Sequence, residues 1–499
     1  MQDGFIKVAA GTPEIRVADC AYNAQACLSL LHQAAAEGVK VLCLPELCLT
    51  GYTCGDLFLQ DALLQGAEDA LRSLLEGSKD LDLLAVVGVP VRYNQKLFNC
   101  AAVFCRGALL GLVPKIHLPN YTEFYEGRWF TSGRELRGTD FCIPFAGQEN
   151  VEFSAGLLFR CVNEPLLTIG VEICEDLWVA DPPSTRLAQG GATLLLNPSA
   201  SDETVCKDAY RRTLLEATSG RLVCGYVYAD AGWGESSTDL IYAGHSLIAE
   251  NGTILAERRF ATGLTITEID LQKLAHERQR MTTYPADAPD LYPNYFELER
   301  TETRLTRPIA PNPFVPADHG DLSELALGWA TYNGDHMSMY AVNAGIPKTL
   351  VRHLVAYVAD EQRGSAPRLS AVLEDILATP VSPELLPPKE GEIAQKTEDL
   401  VGPYELHDFF LYYAVRWGFR PRKVFRLAEY ALGEKYDRAT RLRWLQNFYR
   451  RFFAQQFKRS CLPDGPKVGS VTLSPRGDWR MPSDAAATLW LEEVERLTI

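Results

Sequence analysis

Apolar positions along the first 275 residues fall into short strand-like runs separated by helical stretches. Phe5 to Ala10 predicts a first strand. Asp19 to Glu37 carries the spacing of an amphipathic helix and stops at Gly38, a residue suited to a C-terminal cap. Val39 to Leu44 predicts a buried strand that runs straight into Pro45-Glu46. Further strands are predicted at 83–89, 98–105, 166–173, 192–196 and 222–229. Ala243 to Glu257 reads as a hairpin around Asn251-Gly252, a strong two-residue turn signal. Helix-linked strands mixed with hairpins predict a layered α/β sandwich.

The pattern changes at 276–318, where TYPADAPDLYPNY and RPIAPNPFVPADH are rich in Pro, Asp and Tyr, as in an extended connector. Beyond it, helical spacing dominates at roughly 347–360, 404–417, 422–432 and 438–459, and 383–392 reads as an exposed loop. The expected organisation is a first domain at 1–275, a connector at 276–318 and a second domain at 319–499.

Bulk properties narrow the class. The 499 residues are 47 % hydrophobic and 23 % charged, as in ordinary globular proteins. A formal charge of −15 argues against nucleic-acid or anionic-membrane partners, which select basic faces. The 13 cysteines contain no CxxC pair and sit mainly in apolar runs, so they read as reduced, buried thiols of a cytoplasmic protein. No apolar run reaches the ~18 residues that a membrane span needs, and the N-terminus has no signal-peptide pattern.

Three residues stand in contexts suited to amide hydrolysis, which needs a nucleophile, a base and a donor for the oxyanion. Cys174 closes an apolar run in GVEICEDLW, Glu46 follows one in LPELCLTGY, and Lys115 follows another in GLVPKIHLPNY. Strand ends hold side chains rigidly yet within reach, and three such ends can converge on one rim of a sheet.

In this order the three contexts resemble the nitrilase, or carbon–nitrogen hydrolase, superfamily. LPELCLTGYTCGDLF, KIHLPNYTEFYEGRWF and GVEICEDLW are most similar to the glutaminase half of glutamine-dependent NAD synthetases, from residue 5 to about 275. The resemblance implies an N-terminal α-β-β-α sandwich in which Glu46 is the general base, Cys174 the nucleophile that forms a thioester, and Lys115 the oxyanion donor. It further implies that Tyr121, Ser201 and Lys207 hold glutamine and that Glu123 is a second acid of the site.

Residues 320–350 resemble the synthetase half, a Rossmann-like α/β ATP-pyrophosphatase domain that adenylates deamido-NAD with ATP and then aminates it. There Glu324 would ligate Mg²⁺, Trp329 and Tyr332 would line the dinucleotide pocket, Lys458 would approach the same substrate, and Lys348 would reach ATP phosphates. The glutaminase half would need no cofactor, and the resemblance also implies a homo-oligomer acting on small molecules. The sequence departs from the family at one place. SGGxDS, the glycine-rich turn that cradles pyrophosphate, is absent, with a seam near His319–Gly320, so mainly the helical part of the domain remains. Either the working protein carries that stretch beyond these residues, or the chain is shortened and cannot make NAD. A helical remnant without its sheet buries its apolar faces poorly, which favours the first. Two other classes stay open: a stand-alone amidase acting on glutamine or another small amide, and a non-catalytic protein that keeps the fold.

Overall fold

The computed structural model describes residues 1, 3–136, 142–237, 240–285, 291–313, 326, 345–379, 402–462, 469–473 and 479–498. The chain divides into two compact units, Met1–Arg307 and Pro308–Ile499.

The first unit opens with β1 (Phe5–Thr12), α1 (Cys20–Ala36), β2 (Val41–Cys43) and α2 (Asp61–Gly77), followed by the meander β3 (Leu84–Tyr93), β4 (Lys96–Cys105) and β5 (Ala108–Pro114). A small hairpin, β6 (Cys142–Phe145) and β7 (Gln148–Glu152), leads to β8 (Leu157–Cys161), β9 (Thr168–Val171) and α3 (Pro183–Gln189). Then come β10 (Leu194–Ser199), α4 (Lys207–Leu222), β11 (Gly225–Asp230), β12 (Ser246–Glu250) and β13 (Thr253–Arg258). The unit ends with β14 (Gly263–Asp270), α5 (Leu271–Arg280) and β15 (Tyr292–Phe296).

These strands build two large sheets, ordered β14-β1-β2-β3-β4-β5 and β13-β12-β11-β10-β9-β8-β15. In each, a parallel centre (β1, β2 and β3; β9, β10 and β11) is flanked by antiparallel partners. Period-2 alternation assigns the side chains to layers. Ala9, Leu42, Ala85 and Val87 face α1 and α2, whereas Ile6, Val8, Val41, Leu84 and Val86 meet Phe159, Ile169, Leu194 and Val227 of the second sheet. On the far side Leu195, Tyr226 and Tyr228 pack on Leu187 of α3 and Leu215 of α4. The result is an α-β-β-α sandwich, as the family resemblance implies, and a layered α/β fold, as the hydrophobic pattern predicts.

Residues 276–307 are not a free connector. β15 pairs in parallel with β8 in register Tyr292↔Leu157. Met1 donates its amine to the Thr301 carbonyl and to Thr303 Oγ1 (2.6 Å), and Arg307 Nη1 donates to Glu250 Oε2 (2.9 Å). Pairing β15 with β8, burying Phe296 and holding the Arg307 guanidinium on Glu250 outweigh the loop-like composition of this stretch.

The described part of the second unit is helical: α6 (Lys348–Gln362), α7 (Pro367–Ala378), α8 (Tyr404–Leu411), α9 (Pro421–Leu432), α10 (Arg438–Ala454), α11 (Gln456–Ser460) and α12 (Thr488–Glu495). Aromatic rings hold it together: Phe410 of α8 lies 5.9 Å from Phe448 of α10, and Phe453 lies 4.6 Å from Trp490 of α12. The helix expected over 404–417 changes to a π turn at Tyr412–Arg416, and that expected over 438–459 breaks at Gln455. The loop expected at 383–392 lies outside the described residues.

Candidate active site

Glu46 follows β2 by three residues, and its backbone presses on β3. A Cβ built on Gly88 of β3 would lie 1.9 Å from Leu47 N and 2.6 Å from Glu46 C, so only glycine permits this approach. The carboxylate is wholly buried. Its Oε1 accepts from Lys115 Nζ (2.6 Å) and Asn99 Nδ2 (2.6 Å), and its Oε2 accepts from the Ala200 N–H (3.0 Å). Lys115 leaves the end of β5 with its own N–H on the Asn99 carbonyl (2.8 Å). Its ammonium also donates to Glu126 Oε1 (2.6 Å), which accepts the Tyr52 hydroxyl as well (2.8 Å).

A buried lysine thus sits between two buried carboxylates. Burial works against the Lys115 charge, but Glu126, Glu46 and Cys174 outweigh it and hold the ammonium well above the ordinary lysine range. Burial pushes the Glu126 carboxyl up to about 7, opposed by Lys115 and reinforced by Glu46.

Cys174 does not end a strand. β9 stops at Val171, and Cys174 starts a tight turn, Cys174–Leu177, with φ +44°. That left-handed conformation is strained for a residue with a side chain. A chain of buried polar groups holds it: the Cys174 N–H donates to Asn197 Oδ1 (2.9 Å), Asn197 Nδ2 to Tyr226 OH (3.0 Å), and Tyr226 OH to Glu172 Oε1 (2.5 Å). Asp176 couples the Cys174 turn to the segment that follows Lys115. It accepts the N–H groups of Ile173 (3.1 Å) and His117 (2.8 Å), and His117 Nδ1 lies 2.8 Å from the same carboxylate. Burial, then the charge of Glu46, pushes the Cys174 thiol well above the usual cysteine range, while Lys115 pulls it down. The thiol therefore stays protonated until a base takes its proton.

The three residues singled out in the sequence come together in one buried cluster. Glu123 does not reach Lys115; half-buried, it is held below the ordinary carboxylate range chiefly by a hydrogen bond with Thr122. The acid that meets the lysine is Glu126, turned inward by its N–H on the Pro119 carbonyl (3.1 Å). Asn99, Glu126, Glu175 and Asn197 were not read from the sequence, since each lies in an apolar or mixed run with no spacing signal of its own.

Beside the cluster lies a cavity of about 120 Å³ lined by Tyr52, Glu123, Phe124, Tyr125, Trp129 and Leu240, among others. Tyr121 is exposed, and its hydroxyl donates to Glu175 Oε1 (2.7 Å), one residue from Cys174. Ser201 is buried next to Ala200, with its N–H on Asp230 Oδ1 (2.8 Å). Lys207 pairs with Asp202 and lies 5.6 Å from the Phe124 ring and 5.4 Å from that of Trp178.

In the second unit, Glu324, Trp329 and Tyr332, with the seam at His319–Gly320, lie outside the described residues. Lys348 opens α6 with Nζ 5.9 Å from the Tyr404 ring, and Lys458 is half-buried on α11. The neighbouring Arg459 is almost fully buried, donating to the carbonyls of Ala326 (3.0 Å) and Phe452. All 13 cysteines are free thiols, ten of them buried. Among the described residues no helix is long and apolar enough to cross a membrane, and no group of three or more His, Cys, Asp and Glu could hold a metal ion.

The profile of the carbon–nitrogen hydrolase family matches residues 7–279. A glutamine-dependent NAD(+) synthetase of Mycobacterium tuberculosis (strain ATCC 25618 / H37Rv) is 33% identical over an alignment of 677 positions, covering 99% of this chain and 98% of that protein. The corresponding protein of Mycobacterium leprae (strain TN) is 32% identical over 671 positions, with the same coverages. Because this chain has 499 residues, at least 178 of the 677 positions face no residue here. A crystal structure of a glutamine-dependent NAD(+) synthetase from Cytophaga hutchinsonii aligns with TM-score 0.46 and 20% identity, covering 98% of this chain and 100% of that one.

Proposed function

Since the chain belongs to the carbon–nitrogen hydrolase family and, along its length, to the glutamine-dependent NAD(+) synthetases, we propose that Cys174 releases ammonia from L-glutamine for the ATP-dependent amidation of deamido-NAD. The observation that carries the first step is the buried Lys115 held between Glu46 and Glu126.

Glu46 takes the Cys174 proton as sulfur attacks the side-chain amide carbon, and the Lys115 ammonium stabilises the charge that gathers on the oxyanion. The C–N bond breaks with the proton passing from Glu46 to the leaving nitrogen, giving ammonia and a glutamyl thioester. Water, deprotonated by Glu46, then releases glutamate and restores the thiol. Tyr121, Ser201 and Lys207 are proposed to hold the substrate. Glu175, whose carboxylate already orients Tyr121, is placed to meet the substrate ammonium.

In the second unit Lys348 is assigned to ATP phosphates, and Glu324, Trp329, Tyr332 and Lys458 to deamido-NAD. Mg²⁺ would be held by Glu324, whose hard oxygen donors suit it. A homo-oligomer in the cytoplasm accords with this reading.

The test pairs two nitrogen sources. C174A should abolish glutamine cleavage and glutamine-driven NAD formation while ammonium-driven formation persists. Loss of both would overturn the two-site scheme. Native protein that cleaves glutamine but forms no NAD from either source, with an intact mass matching 499 residues, would leave only the amidase.

A further inference from the structure

Arg211, in the second turn of α4, is among the largest fully buried side chains of the protein. Its guanidinium faces the loop between β10 and α4. Nη2 donates to Ser201 Oγ (3.2 Å) and the Asp202 carbonyl (3.1 Å), and Nη1 donates to Glu203 Oε2 (3.1 Å). Nη1 also lies 2.8 Å from Nδ1 of the equally buried His245, whose Nε2 lies 2.9 Å from Glu257 Oε1. The same loop begins at Ala200, whose N–H donates to the catalytic Glu46 (3.0 Å). The loop that Arg211 braces is therefore tied directly to Glu46.

The direction of each hydrogen bond follows from one fact: a guanidinium only donates. His245 Nδ1 must accept, so its proton sits on Nε2 and is given to Glu257. Ser201 Oγ must also accept, so its own single proton points away from Arg211 and is left to give to something else. A serine fixed as donor, backed by a buried cation, suits an anionic acceptor.

We infer that Arg211, oriented by His245, is a positioning residue that fixes Ser201 as a hydrogen-bond donor to the α-carboxylate of the substrate. This rests on glutamine being the substrate of the first unit. The reacting amide lies at the other end of glutamine, so the device acts on substrate choice. Sites built around a specific polar partner reject analogues that lack it far more strongly than sites recognising only shape.

The experiment compares glutamine with 4-aminobutanamide, which keeps the reacting amide and the amine but lacks the carboxylate. The ratio of kcat/KM for the two amides is measured in native protein, R211K, H245F and H245N. Lysine keeps the charge but loses the fork; phenylalanine removes the acceptor from Arg211; asparagine restores one. The expected result is a ratio reduced about ten-fold or more in R211K and H245F, mainly through KM for glutamine, and largely recovered in H245N. A ratio unchanged in R211K and H245F, with both amides slowed alike, would show a merely structural role and overturn the inference. Native protein unable to cleave glutamine would instead overturn the reading on which it rests.

Discussion

At the scale of single residues, the site is an exercise in keeping three charges buried together. Two carboxylates and one ammonium carry a net charge of −1 when all are ionised, and burial disfavours that state. The carboxyl of Glu126 responds by rising to about 7, whereas Lys115 stays charged because both acids face it. Replacing Glu126 with glutamine keeps an acceptor for Tyr52 and Lys115 but removes the second anion. Lys115 then pairs with Glu46 alone, which draws the ammonium away from the oxyanion. E126Q should therefore lower kcat for glutamine by about 10²-fold with KM little changed, checked by steady-state kinetics. A change in KM alone would place Glu126 in substrate binding instead.

At the scale of elements, the site depends on strands approaching more closely than side chains allow. Gly88 stands in the apolar run 83–89, where its isolation in a strand was the one local sign of close backbone contact. Its N–H donates to the Pro45 carbonyl (3.2 Å) and its carbonyl accepts from Leu49 (3.4 Å), so β3 clasps the segment carrying Glu46. A methyl group there must push Glu46 and Leu47 aside. G88A should cost stability by about 1–3 kcal/mol, as overpacking does, and reduce activity beyond what the lost stability explains. Chemical denaturation run beside the assay separates the two effects; full activity in a destabilised protein would contradict the positioning argument. This element also shows what could be read from sequence. The strands β1, β3, β4 and β11 were legible because burial on both faces makes continuous apolar runs, and Glu46, Lys115 and Cys174 were legible as ends of such runs. Glu126 was not, because a tight turn rather than a strand brings it inward. β15 was not, because Tyr292–Phe296 carries a proline and an asparagine and owes its place to pairing with β8. Helices α2 (Asp61–Gly77) and α7 (Pro367–Ala378) went unread although both carry helical spacing of apolar positions.

At the scale of the molecule, the first unit extends to Arg307 and should work alone. Its three cores are closed within Met1–Arg307, and the last residues of that range seal one of its buried charges. Glu250 is wholly buried. Burial opposes its ionisation, yet Arg307 and Lys273 hold its carboxyl down at about 2. Because the folded value lies below the ordinary glutamate value, this group stabilises the fold above about pH 4.5 and ceases to do so as pH falls toward 2. A fragment ending at 275 keeps Lys273 but loses Arg307, β15 and the clamp between Met1 and Thr303. Removing one partner of a buried ion pair costs about 3–5 kcal/mol. The fragment 1–307 should therefore unfold in one cooperative transition and cleave glutamine without any response to ATP. The fragment 1–275 should unfold at markedly lower denaturant, with a smaller stability difference at acid pH, where Glu250 is neutral in both. Equal midpoints for the two fragments at neutral pH would show that residues 276–307 contribute nothing to the first unit.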